Sequence, residues 1–338
     1  MSESELAREI FAQPDRLERF RVAEGAKLRA FGGELAARQP AGVMIAARGS
    51  SDHAAVYAKY LLGARARIPV ALAAPSLFTI YERAPRLAGW LVIAISQSGA
   101  SPDVVRVIEV ARAQGAPTLA ITDRVDSPLA AAAEHVVPLR LDGERSVAAT
   151  GSFTNTLYAL AHLVAGMRGE DEPSLALVPE LASQALASQP QARALAEALA
   201  PHASCALIGR GYGFPVALEW ALKLKELAGV FAEPFSAADY RHGPIALASA
   251  GAPVFTIELA GPARGDVRRL GRDLVERGAR LVRISDEIGA DLRLPLADEW
   301  LAPIPAAIAG QLLAFWLARS RGRDPDRPAG ISKVTRTL

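Results

Sequence analysis

The amino-acid sequence predicts an α/β fold of two tandem parallel sheets, each flanked by helices, and three observations carry that expectation. Short apolar runs end in glycine and serine and pass into helical stretches, this alternation comes round twice, and 338 residues give room for about two domains. Taken in order, residues 1–38 carry Leu6, Ile10, Leu17, Phe20, Leu28, Phe31 and Leu35 among charges, the spacing of two amphipathic helices broken near Pro14. The apolar run 42–47 then leads into Arg48-Gly-Ser-Ser51, the run 90–95 into Ser96-Gln-Ser-Gly99, and the run 117–121 into Thr122-Asp123. Runs of this length read as buried parallel strands, and the loops after their carboxyl ends are where such sheets bind ligands. The first domain is expected over 39–168. Residues 169–201, rich in Ala, Leu and Gln, read as a helical connector. A second round begins at the strand 205–208, which runs into Gly209-Arg-Gly211, and continues with a helix over 215–229 and strands at 253–257 and 280–284. Arg48-Gly49 and Arg210-Gly211 lie roughly 160 residues apart, the offset of one α/β unit used twice. The second domain is expected over 202–320, with 321–338 as a C-terminal tail.

Hydrophobic residues make up 51% of the chain and charged residues 22%, enough apolar material for two cores and enough charge for solubility. The net charge of +2 gives no electrostatic reason to expect nucleic acid as a partner. No stretch reaches the roughly 18 unbroken apolar residues of a membrane span, and the acidic N-terminus lacks an apolar signal segment, so a cytoplasmic protein is expected. Cys205 is the single cysteine, expected as a small core residue of its strand, and its count excludes a disulfide framework and a thiolate metal site. None of His53, His135, His162, His202 and His242 stands at metal-ligand spacing on a helix, so neither a metal nor another cofactor is expected. Gly209-Arg-Gly-Tyr-Gly213 follows a strand and precedes a helix, but Phe214 breaks the dinucleotide fingerprint, and no P-loop is present.

The chemistry concentrates in residues 91–103. A buried strand delivers Ser96, Gln97 and Ser98 into a turn at Gly99, and Ser101 and Pro102 follow at a helix start whose free backbone N–H groups point outward. That is a cradle for a dianionic phosphate, set against the plainer alternative of a serine-rich helix cap. Gly49-Ser50-Ser51 repeats the device after an earlier strand. His242, in Tyr240-Arg-His-Gly-Pro244, stands on an irregular turn, where functional groups concentrate. Glu219, Lys223 and Glu226 are spaced by four and three and so share one helix face. Such a ladder is ordinarily solvated, but Leu218, Trp220, Leu222, Leu224 and Leu227 around it argue for a largely buried helix.

Gly49-Ser-Ser, Ser96-Gln-Ser-Gly, Glu144-Arg-Ser-Val-Ala148, Ala217-Leu-Glu-Trp-Ala-Leu-Lys-Leu-Lys-Glu226, Arg241-His-Gly-Pro244 and the tail Asp324-Pro-Asp-Arg-Pro-Ala-Gly-Ile-Ser-Lys333 together resemble the sugar isomerase (SIS) family. More narrowly, from about residue 5 to the end, the chain is similar to the isomerase half of glucosamine-6-phosphate synthase. The resemblance implies two flavodoxin-like domains and a site completed at a homodimer interface. It implies that Ser50, Ser51, Ser96, Gln97, Ser98, Ser101, Val147 and Ser332 bind the sugar phosphate. It further implies that His242, supplied by the neighbouring subunit, assists ring opening, that Glu226 moves a proton between C2 and C1, and that Lys333 engages the open-chain carbonyl.

Departures from the pattern are as informative. Ala100 stands where Glu follows Ser-Gln-Ser-Gly, Ala149 where a serine follows Val-Ala, and Gly151 where a lysine is usual. The chain opens on the isomerase half, with Ser2 behind the initiator Met rather than the glutaminase cysteine, so ammonia is not expected to be drawn from glutamine. The closing Ser332-Lys-Val-Thr335 resembles stand-alone SIS-type glucosamine-6-phosphate deaminases. The expected activity is conversion of glucosamine 6-phosphate to fructose 6-phosphate and ammonia without a metal, with small Ala149 and Gly151 making room for the water that hydrolyses an imine. A galactosamine-6-phosphate deaminase, a fructosamine-6-phosphate deglycase and a non-catalytic sugar-phosphate-binding regulator are the competing readings.

Overall fold

A computed structural model describes residues 4–248 and 251–333, so Val334 and Thr335 of the tail motif lie outside the described residues. The chain divides into two compact units, one made of Asp15–Glu144, Gly151–Ala176 and Ser332–Leu338, the other of Met1–Pro14, Arg145–Thr150 and Leu177–Ile331.

The first unit is built on strands β1 (Gly42–Ala46), β2 (Val70–Leu72), β3 (Trp90–Ile95), β4 (Thr118–Thr122) and β5 (His135–Pro138). They form a parallel sheet in the order β2-β1-β3-β4-β5, with Gly42 opposite Trp90 and Ala46 opposite Ala94. The inner strands β1 and β4 are buried along their whole length, which is why they read as unbroken apolar runs rather than alternating ones. Val104, Val107, Ile108 and Ala111 of the Pro102–Ala113 helix pack with Val92 and Ala120 into one core. The Gly151–Arg168 helix is buried from its first residue to Ala165. The Ala26–Ala37 helix crosses it at a backbone contact, where a Cβ on Gly32 would lie 2.2 Å from the Leu163 carbonyl oxygen and one on Gly166 2.0 Å from that of Arg29. Only glycine permits so close an approach.

The second unit repeats the plan. Strands β6 (Ser204–Gly209), β7 (Phe231–Ser236), β8 (Pro253–Glu258), β9 (Arg280–Ser285) and β10 (Leu292–Arg293) form a parallel sheet in the order β10-β9-β8-β6-β7. Read from its other edge this is the first sheet's strand order, the flavodoxin-like arrangement. The unit used twice is therefore real. Val178–Leu186 and Gln189–Leu199 are amphipathic helices that bury Val178, Leu181, Ala192 and Leu195. The Pro303–Ser320 helix is buried almost all round and packs on the Gly213–Lys223 helix, where Trp220 Nε1 donates to the Ala306 carbonyl at 2.9 Å. Among the described residues no helix is long and apolar enough to cross a membrane.

Candidate functional site

In the first sheet the strand order reverses between β1 and β3, and parallel sheets bind ligands in the crevice outside the carboxyl ends at such a point. The two serine-bearing loops stand there. After β1, Gly49 adopts a φ of +57° and the Ser50–Leu61 helix starts at once, placing half-buried Ser50 and Ser51 in its first turn. After β3, Ser96 Oγ and the Ser96 carbonyl both accept from the Gly99 N–H at 3.2 Å, and Ser98 Oγ accepts from Ala100 N–H at 3.3 Å. The turn is tied to β4 by Gln97, whose carbonyl accepts from Asp123 N–H at 3.1 Å and from Thr122 Oγ1 at 3.2 Å. Ser101 is the N-cap of the Pro102–Ala113 helix, and its side chain makes no capping bond. Two helix N-termini, each led by serines, thus open at one crevice, an arrangement whose backbone N–H groups and positive dipole ends favour an anion.

The loops are joined by a pair to which sequence reasoning gave no role. Arg48 donates to the fully buried Asp103 carboxylate through Nε at 2.9 Å and Nη2 at 2.7 Å, while the other carboxylate oxygen accepts from Val104 N–H at 2.9 Å. An acid directly behind a helix-opening proline was the available signal.

The same unit holds Lys333. Its Nζ lies 2.7 Å from Oε1 of Glu144, whose side chain is fully buried. Glu144 also accepts from Ser152 N–H and Ser152 Oγ, each at 2.8 Å. Lys333 and these hydrogen bonds hold the Glu144 carboxyl below its usual range although burial alone pushes it up. Half-buried Val147 belongs to the other unit, where the Arg145 and Ser146 N–H groups of its loop donate to Glu9 at 2.5 and 3.2 Å. Gly151 corrects one expectation. A Cβ there would lie 3.2 Å from both the Arg16 guanidinium and Leu141, so the space directly beside this glycine is occupied by side chains rather than left open.

In the second unit Lys223 is buried between two carboxylates, with Nζ 2.5 Å from Glu226 Oε2 and 3.6 Å from Glu219 Oε1. Glu219 is 1% exposed, so the ladder is an interior one. Glu226 keeps partial access because it lies in Leu224–Ala228, a wide π turn that prolongs the Gly213–Lys223 helix. Such turns recur at functional sites. His242 is exposed and ends the Ala237–Arg241 helix, its N–H donating to the Asp239 carbonyl at 3.0 Å. Among the described residues no hydrogen bond or ion pair joins His242 to Glu226. Cys205 is half-buried on β6 and burial pushes its thiol up to about 12, the state of an unreactive residue.

Comparison with known proteins gives a consistent picture. The SIS domain family matches residues 38–166 and 198–320. A protein from Zymomonas mobilis named glutamine–fructose-6-phosphate aminotransferase (isomerizing) is 33% identical over 311 residues, which cover 86% of this chain and 51% of the relative. One of the same name from Thermococcus kodakarensis is 35% identical over 309 residues, with the same coverage. The chain spans about half the length of the curated relatives it matches. Among solved structures, a protein provisionally assigned as a phosphosugar isomerase from Silicibacter pomeroyi DSS-3 superposes with a TM-score of 0.87 at 30% identity, covering 96% of this chain and 100% of the other. A glucosamine-6-phosphate deaminase from Thermotoga maritima reaches 0.83 at 24% identity, covering 99% and 100%, a likeness of fold. With matches on both of its sheets and over most of its length, the chain belongs to the SIS domain family.

Proposed function

We propose that this protein converts glucosamine 6-phosphate and water to fructose 6-phosphate and ammonia. The observation that carries the reading is the pair of serine-led helix N-termini at the β1/β3 crevice, which suits the phosphate of a sugar ester. Ser50, Ser51, Ser96, Gln97, Ser98 and Ser101 take that phosphate, and the family resemblance adds Val147 and Ser332 to the substrate-binding set. His242 of the partner subunit assists ring opening by moving a proton between the ring oxygen and the C1 hydroxyl.

Glu226 then removes the C2 proton from the open-chain aldehyde while the carbonyl oxygen takes up a proton, giving an enolamine; the proton returns to C1 as the amino nitrogen gives one up, which leaves a hydroxyl at C1 and an imine at C2. Water adds to that imine, the C–N bond breaks with proton transfer to nitrogen, and ammonia leaves with fructose 6-phosphate behind. The Lys223 ammonium 2.5 Å from Glu226 Oε2 supports the assignment, because it holds this carboxylate in a fixed place on the turn. The 33–35% identity to proteins named for fructose 6-phosphate supports the same sugar.

The cradle is tested by Ser98→Asp, which sets a negative charge where the phosphate belongs. Calorimetric affinity for fructose 6-phosphate is expected to fall at least a hundredfold with the folded state retained. An unchanged affinity would remove the phosphate from this turn.

A further inference from the structure

We propose that Glu144 is the positioning residue for Lys333, a buried carboxylate that fixes the ammonium of the tail so that it governs the rate of turnover more than the affinity for sugar. The role of Lys333, engaging the open-chain carbonyl as the family resemblance implies, belongs to the deaminase reading above and rests on it; the pairing does not.

Three observations carry it. The Glu144 side chain has no solvent exposure, so its charge is sustained only by what surrounds it. Its orientation is set independently of the tail, because the Ser152 N–H and hydroxyl grip the two oxygens at 2.8 Å from the first turn of the Gly151–Arg168 helix, the end that favours an anion. Lys333 lies in a stretch with no helix or strand of its own, so the 2.7 Å bond to Oε1 is a principal constraint on where Nζ stands. Asp123 and Arg16 add their fields nearby. The Asp123 carboxyl is pushed up chiefly by burial and also by Glu144, and Arg16 opposes this. Glu144 does not touch a sugar in this scheme; it acts through the lysine.

Two measurements test it. The first needs no substrate: the protein is treated with limiting acetic anhydride and acetylation of Lys333 is quantified by mass spectrometry. The paired ammonium is expected to label slowly in the parent, and several-fold faster in Glu144→Gln, which keeps an acceptor but loses the charge, with Glu144→Asp between them. Equal labelling in all three would overturn the pairing. The second is steady-state kinetics on glucosamine 6-phosphate, in which Glu144→Gln is expected to lower kcat at least tenfold with KM within threefold, and to add nothing in a Lys333→Met background. An unchanged kcat, or an additive loss in the double variant, would overturn the positioning role. If Glu144→Gln fails to fold, Glu144→Asp carries both measurements. A parent protein silent on every amino-sugar phosphate would sink the deaminase reading and leave the labelling result to decide on the pair.

Discussion

Replacing Gly99 by alanine probes the Ser96–Gly99 turn with a cost that can be worked out in advance. The residue has a φ of +61°, where an L side chain costs about 1–2 kcal/mol. A Cβ would lie 2.0 Å from Ser127 Oγ, 2.5 Å from Ser127 Cβ and 3.1 Å from Thr122 Oγ1. Ser127 cannot swing away freely, because its Oγ caps the Pro128–Ala132 helix by accepting from Ala130 N–H at 3.3 Å. Gly99 cannot retreat either, since its carbonyl accepts from Leu129 N–H at 3.1 Å. Overpacking of this kind adds about 1–3 kcal/mol. The sum, about 2–5 kcal/mol, lowers the melting temperature of a unit of this size by roughly 4–20 °C. Gly115→Ala is the control: its φ is +77°, but a Cβ there meets nothing within 4 Å, so only the backbone cost applies. Urea unfolding followed by circular dichroism should separate the two variants by the steric share, and Ser127→Gly in the Gly99→Ala background should recover that share. Equal destabilisation by Gly99→Ala and Gly115→Ala would refute the clash.

Two further outcomes are expected. Glu226→Gln should lower turnover of glucosamine 6-phosphate about 10²- to 10⁴-fold, the range for loss of a general base, with the Kd for fructose 6-phosphate within threefold; equal loss of binding would contradict the assigned role. His162 is buried against the Tyr158 ring with Arg29 Nη1 3.0 Å from its Nδ1, and burial first, then the Arg29 and Arg21 charges, hold the imidazole down to about 3. Because the folded value lies below the unfolded one of about 6.5, this contribution is present above pH ~6.5 and is lost as the pH falls towards 3, about 2 kcal/mol of it by pH ~5. His162→Gln should flatten that loss between pH ~7.5 and pH ~5 in urea titrations, and an identical loss in both proteins would exonerate the residue.

The parts of the fold legible in the sequence are those whose physics is local. Strands β1, β3, β4, β6, β8 and β9 show as apolar runs because they are inner or well-covered strands. The edge strands do not: β2 is three half-buried residues, and β7 carries Glu233 and Pro234, which an edge tolerates and an inner strand does not. The duplication was visible because both glycine-bearing loops follow the first strand of their sheet. Around the candidate site, the placing of the serines was legible since each follows closely on the strand end that delivers it; that they cradle a phosphate is the proposal above. Glu144 and Lys333 are 189 positions apart, and Glu9 lies 136 from the Arg145 N–H that it accepts. No spacing rule reaches contacts that only the folded chain creates. The same holds at Gly151, where a missing side chain suggested open space and both Arg16, from a distant segment, and Leu141 stand 3.2 Å from where a Cβ would lie.

Release of ammonia and of fructose 6-phosphate from glucosamine 6-phosphate, measured together with galactosamine 6-phosphate alongside, tests the proposed activity most directly. Equimolar release of both products from the glucosamine ester, with little from the galactosamine ester, is the predicted result. Fructose 6-phosphate binding without turnover of either sugar would contradict it and leave a sugar-phosphate-binding regulator in its place.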